Sequence, residues 1–233
     1  MSEIIPAILE KNYNEIKNKL GSLRERVGTV HLDFCDGVYV PSQTWPFASG
    51  GADDHDFHKI LNEEEGLPYW EEFDFEFDLM VADAVENFDI YMKLGPKRMI
   101  LHLSAQKDIV EFEHFLESLD MYTRDNTQIG LAFKPHDDLE VVKKLSGKVD
   151  FLHLMGSDKV GFQGEQFSEQ ALENIKILKQ ELPGVIISVD IGINLENAPD
   201  ILDAGAERLC IGSSIWKNGD PLGALQDFQE LTK

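Results

Sequence analysis

Along most of the chain, short apolar runs alternate with stretches whose apolar residues recur every three or four positions. The runs at residues 4–9, 29–34, 75–81, 98–103, 128–133, 149–155, 185–190 and 208–211 have the length and composition of buried strands, eight in all. Between them, Tyr13, Ile16 and Leu20 lie at helical spacing over residues 12–20. Ile109, Phe112, Leu116 and Leu119 form an apolar stripe over 108–119, and Ala171, Leu172, Ile175, Leu178 and Leu182 form another over 168–182. Ser168 is a good N-cap, and Asp220-Pro221 opens the last helix with a cap residue and a proline at its first position. Repeated strand–helix units need right-handed crossovers and give a parallel sheet covered by helices. Eight of them predict an α/β fold closed into a (β/α)8 TIM barrel, as a single domain over residues 1–233. The competing architecture is an open doubly wound sheet, which more often carries a glycine-rich fingerprint after its first strand; PAILEKNY has none.

Composition narrows the partners more than the fold. The 233 residues, 42% of them hydrophobic, suffice for a sizeable core. With 43 acidic against 21 basic residues the formal charge is −22, which argues against nucleic acid or an anionic membrane as partner because like charges repel. A phosphorylated ligand would have to be held locally, by backbone N–H groups and helix N-termini. Cys35 and Cys210 fall inside expected strands, where a free thiol behaves as a small buried hydrophobe, and no disulfide framework follows. There is no basic segment followed by a long apolar run at the N-terminus and no stretch of membrane-spanning length, so the expected location is cytoplasmic.

The longest connection, residues 41–70, contains SGGADDHDFHK, which has the residue types of a metal cluster but no strand to fix their geometry. A solvated loop leading into a helix at residues 57–61 is the preferred reading, and the glutamates at 63–65 and 71–72 read as solvated charge.

Candidate chemistry collects at the C-terminal strand ends, where the loops of a β/α barrel converge on one mouth. His31 and Asp33 stand two residues apart, hence on one strand face, and Asp is almost never buried unless paired or bound to a cation. Asp36-Gly37 then turns the chain. Asp78, His102 and Asp190 occupy the ends of the third, fourth and seventh expected strands. Three carboxylates converging on one mouth repel one another unless a cation or a proton intervenes. The expectation is therefore a divalent metal or, without one, at least one carboxyl of raised pKa.

HLDFCDGVYVP, residues 31–41, resembles the H-x-D-x-x-D-G-x-x-V-P signature of ribulose-phosphate 3-epimerases, metal-dependent β/α barrels that invert one carbinol centre of a pentulose phosphate. PAILEKNY resembles the P-S-I-L-S-x-D-F opening of that family, SVDIGIN its V-D-G-G-V turn, CIGSSIW its G-S-A-I-F segment and GFQGEQF its G-F-G-G-Q-x-F loop. The likeness runs from Pro6 to Leu225. It implies an isomerase of carbohydrate metabolism acting on a pentose phosphate, in which Asp33 and Asp190 exchange the roles of general base and acid across a cis-enediolate. It also implies a metal held by His31, Asp33, Asp78 and Asp190, and a homo-oligomer.

The departures from the family pattern are specific. Asp78, in FEFDLMV, stands where the family has His, so the implied set is one His and three Asp, harder than a two-His set and leaning toward Mn, Fe or Mg over Zn. Ala7 replaces a serine that lies against the substrate, Ile191 replaces the glycine after the catalytic Asp, and Gln163 replaces a loop glycine. The substrate and phosphate contacts carried over are Ala7, Met80, Met155, Gly161, Phe162, Gln163, Gly164, Gly192, Ile193, Gly212 and Ser213. For the two methionines, core filling is the competing account. His102 matches a family histidine, with a satisfied core histidine as an equal reading, and His153 has no counterpart in the pattern. Three functions remain: a ketopentose-phosphate 3-epimerase, a phosphosugar epimerase, aldolase or decarboxylase on the same barrel, and a silent barrel that binds a phosphorylated metabolite.

Overall fold

The apolar runs become strands that pair in parallel, in chain order, until the last meets the first in a closed barrel: β1 (Glu3–Ile8), β2 (Thr29–Cys35), β3 (Asp74–Met80), β4 (Arg98–His102), β5 (Gln128–Phe133), β6 (Phe151–Met155), β7 (Ile186–Asp190) and β8 (Arg208–Ile211). The structure, a computed structural model, describes residues 2–162 and 164–232. Closure sets Ile4 opposite Leu209 and Ile5 opposite Cys210. Around the barrel lie α1 (Tyr13–Leu23), α2 (His55–Leu61), α3 (Phe88–Met92), α4 (Ile109–Ser118), α5 (Met121–Asn126), α6 (Leu139–Ser146), α7 (Glu169–Glu181), α8 (Ala198–Asp203), α9 (Ser213–Trp216) and α10 (Pro221–Glu230). Among the described residues no helix is long and apolar enough to cross a membrane.

Most helices begin where a side-chain oxygen can accept an orphan backbone N–H. Asn12, Asp108, Ser168 and Asp220 do this for α1, α4, α7 and α10. Asp54 caps α2 through Phe57 N and also accepts from Trp45 Nε1 (2.9 Å) and Ser49 Oγ (2.6 Å). The SGGADDHDFHK segment is thus a capped entry to a helix, as its loop reading expects.

Strand alternation splits the interior into two shells. Outward positions such as Leu32, Phe34, Phe77, Leu79, Leu152 and Val189 join the helices in the large apolar core. Inward positions are mixed. At the N-terminal end of the barrel, Arg98 pairs with Glu3 (2.9 Å) and Glu76 (3.3 Å), while Arg208 Nη2 donates to Gln128 Oε1 (3.1 Å). The Arg208 guanidinium lies 4.8 Å from the centre of the Phe151 ring, and that ring occupies the space a side chain at residue 130 would need. A Cβ built on Gly130 would stand 2.4 Å from Phe151 Cζ. Gly130→Ala is therefore expected to destabilise the fold by about 1–3 kcal/mol through overpacking, read as a lower urea midpoint with unchanged slope.

Candidate active site

β2 and β3 run side by side with Asp33 opposite Asp78 and His31 opposite Glu76. Thr44 fixes the end of β2, donating to Asp33 O (2.6 Å) while accepting from Cys35 N (2.8 Å). The expected turn follows, with Asp36 Oδ1 accepting from Val38 N and Tyr39 N and its Oδ2 from Ala82 N beyond β3.

His31, Asp78 and His153 are each buried and share one arrangement: one polar atom is tied to a neighbouring side chain and the other is left without a hydrogen-bond partner among the described residues. His31 Nδ1 donates to Glu76 Oε1 (2.8 Å), leaving Nε2. His102 Nε2 donates to Asp78 Oδ1 (2.6 Å), leaving Oδ2. His153 Nδ1 lies 3.1 Å from Ser188 Oγ, leaving Nε2. Ligand atoms of His31, Asp78, His153 and Asp190 all lie within 4.8 Å of one another. Buried polar atoms without partners cost about 1–3 kcal/mol each, and a divalent cation among these atoms would satisfy them, so the residues fit the metal that the sequence implies. Asp33 stands beside this group, with Oδ1 3.3 Å from His31 Nε2.

The electrostatics follow from burial and crowding. Burial, then the negative charge of Asp33, pushes the Asp190 carboxyl up to about 8. Burial raises Asp33 as well, against the pull of His31. Burial works against ionisation of Asp78 too, but the charge and hydrogen bond of His102, with His153 and His31, hold its pKa below the ordinary value. Glu76 behaves similarly: His31, His153 and Arg98 overcome burial and bring it to about 2. Burial lowers His153 to about 4. Of the three crowded carboxyls, Asp33 and Asp190 are thus raised and Asp78 is lowered.

Asp33 and Asp190 both line one cavity. Ala7, Met80, Gly161, Phe162 and Gly164 line it as well, and its opposite rim is made by Gly192, Ile193, Gly212 and Ser213. Met155 is completely buried in the apolar cluster with Cys35 and Met80 and is not part of the lining. Gln163 lies outside the described residues. His102 is neither idle packing nor part of the lining: it aims Asp78, with Tyr39 Oη 3.3 Å from its other nitrogen and Ser104 Oγ 2.8 Å beyond.

The rim has constrained backbone. Gly192 takes φ +78°, and a Cβ there would stand 2.5 Å from Phe167 N, so conformation and space both require glycine. Ile191 takes φ +72°, which for a β-branched residue costs about 1–3 kcal/mol. Isoleucine thus keeps, beside Asp190, the left-handed backbone that suits the glycine it replaces. Asn197 Nδ2 holds Gly192 O (2.9 Å), and Ser214 Oγ holds Ile193 O (2.5 Å).

His153 and Glu76 are site residues to which the sequence alone assigns no role. Both are charged or polar residues at inward positions of otherwise apolar strands, FLHLM and DFEFDLM, the same signal that marks His31.

A sequence model described as "Ribulose-phosphate 3 epimerase family" matches residues 3–216. The ribulose-phosphate 3-epimerase of Bacillus subtilis (strain 168) is 23% identical over 237 residues, covering 98% of this chain and 99% of that protein. Among solved structures, 3-hexulose-6-phosphate synthase superposes with a TM-score of 0.69 at 17% identity, over 99% of both chains. KGPDC from Streptococcus mutans gives 0.68 at 13% identity, covering 99% of this chain and 97% of that one. At such identities these two structures speak for the fold alone.

Proposed function

The chain belongs to the ribulose-phosphate 3 epimerase family and is an enzyme of the isomerase class, and on that premise we propose that it inverts C3 of a ketopentose phosphate, interconverting D-ribulose 5-phosphate and D-xylulose 5-phosphate. The observation that carries the reading is the shared cavity: two carboxyls, Asp33 and Asp190, face one space whose rim is built from glycine-containing turns.

In the proposed reaction one carboxylate takes the proton from C3, and the C–H electron pair enters the C2–C3 bond as the C2 carbonyl oxygen becomes anionic. The other carboxyl returns a proton to C3 from the opposite face, which inverts the centre. β2 and β7, which carry the two acids, are separated on the barrel wall by β1 and β8. Ala7 and Cys210 line the cavity on those intervening strands, small residues that keep the space open. His31, Asp78 and Asp190 would hold a divalent cation whose chemistry is Lewis-acid stabilisation of the charge that develops on the substrate oxygens. Backbone N–H groups of Gly192, Ile193, Gly212 and Ser213 would receive the phosphate, as glycine-rich turns permit.

Incubation with D-ribulose 5-phosphate and Mn2+ in deuterated water tests this. Solvent deuterium at C3, together with D-xylulose 5-phosphate, is the expected result. Binding without exchange would identify a silent barrel, and cleavage or loss of carbon dioxide from another sugar phosphate would move the chain to a different reaction.

A further inference from the structure

We propose that His153, on β6, is a direct ligand of the divalent cation, so that the centre is His31, Asp78, His153 and Asp190 and Asp33 is left outside it as an unligated base. The inference rests on the reading that this site holds a divalent cation, and it changes which residues do so.

Three features of His153 point the same way. Its Nε2 is buried and without a hydrogen-bond partner among the described residues, although polar groups surround it. The ring stacks 5.7 Å from that of His31 at an interplanar angle of 17°, so the two imidazoles lie side by side in nearly parallel planes. A ligand atom of His153 falls within 4.8 Å of ligand atoms of His31, Asp78 and Asp190, close enough for all four to share one ion. A histidine there for packing alone would be a poor choice, because an apolar residue fills the same volume without stranding a polar atom.

The neighbouring side chain suits the role. Coordination through Nε2 requires the proton on Nδ1, and Ser188 Oγ at 3.1 Å is placed to accept it. That is the outer contact by which ligating histidines are usually oriented. Glu76 serves His31, and His102 serves Asp78, in the same way. Asp33 is not among the four whose ligand atoms lie within 4.8 Å of one another; its Oδ1 stands 3.3 Å from His31 Nε2, and it lines the cavity.

Two imidazoles and two carboxylates carry one negative charge fewer than one imidazole and three carboxylates. The ion therefore keeps more of its electrophilic character, and borderline metals such as Zn2+, Co2+ or Fe2+ become suitable alongside Mn2+.

The test uses the full chain stripped of metal and titrated with Co2+ alone, followed by calorimetry and visible absorption, in the parent, His153→Gln and His31→Gln. The expected result is that each substitution weakens Co2+ binding by at least about tenfold and that each changes the Co2+ absorption bands. Parent-like affinity and bands for His153→Gln, with binding lost in His31→Gln, would overturn the assignment of His153 and leave the metal reading standing. No Co2+ binding by the parent would overturn both. Should His153→Gln fail to fold, 15N-histidine spectra of the parent with and without Zn2+ decide: Nε2 of His153 must move to the metal-bound range while Nδ1 stays protonated, and an unmoved Nε2 overturns the proposal.

Discussion

Replacing either Asp33 or Asp190 by asparagine is expected to lower the rate of C3 epimerisation by about a hundredfold to ten-thousandfold, the contribution of a positioned acid or base. Asparagine keeps the shape of the carboxyl and removes its ability to take or give a proton. Both residues line the cavity, at 7% and 8% exposure, so the substitution changes the chemistry of its wall and leaves its volume intact. Interconversion of the two C3 epimers is the appropriate readout, because inversion needs proton transfer at both faces whereas deuterium exchange needs only one. Stability separates this from a folding defect. Burial and the charge of Asp33 disfavour ionisation of Asp190, so a neutral amide relieves repulsion, and metal-free Asp190→Asn should unfold at no lower urea concentration than the parent. If one of the two variants interconverted the C3 epimers at the parent rate, a two-carboxylate reaction would be ruled out.

The largest stability effect is expected at Glu76, which has no exposure to solvent and lies between three groups. Its Oε1 accepts from His31 Nδ1 (2.8 Å) and Cys210 Sγ (3.3 Å), and its Oε2 accepts from Arg98 Nη1 (3.3 Å). Glu76→Ala removes the anion, leaving a buried histidine N–H without its acceptor and Arg98 with Glu3 as its remaining partner. Breaking a buried pair from one side costs about 3–5 kcal/mol, which for a chain of this size lowers the unfolding temperature on the order of 10 °C. The same variant frees the His31 ring to rotate, so Co2+ affinity should also fall, by about tenfold to a hundredfold. Glu76→Gln, which can still accept from His31, should lose less of both. A loss under about 1 kcal/mol, the scale of an exposed ion pair, would mean that Arg98 is satisfied by Glu3 alone.

The barrel is readable because its strands are apolar on the outward face and at enough inward positions to register as runs. The eight strands sit within two residues of the positions expected, and Asn12, Asp108, Ser168 and Asp220 cap helices as their side chains allow. Short helices were harder to read. α6 offers only Leu139, Val142 and Leu145 on its buried side, and α3, α5 and α8 are of five or six residues, too brief for a period of 3.6 to repeat. In the site, Asp33, Asp78 and Asp190 are legible as acids toward the ends of apolar strands, and His31 by its place two residues before Asp33. Glu76, level with His31, and His153, in the middle of β6, carry the same inward polar signal, but the sequence ties them to no neighbour; the register that sets β3 and β6 against their neighbours does.

The seam between β1 and β8 is joined by residues about two hundred positions apart, and beyond it Trp216 Nε1 donates to Ala7 O (2.7 Å), binding the far end of the cylinder to its beginning. While the polypeptide is being made on the ribosome, β1 and β7 must each wait with a bare edge until residues 208–216 have emerged. Bare edges are templates for pairing with other chains, so the interval before the seam closes is when this protein is most exposed to aggregation.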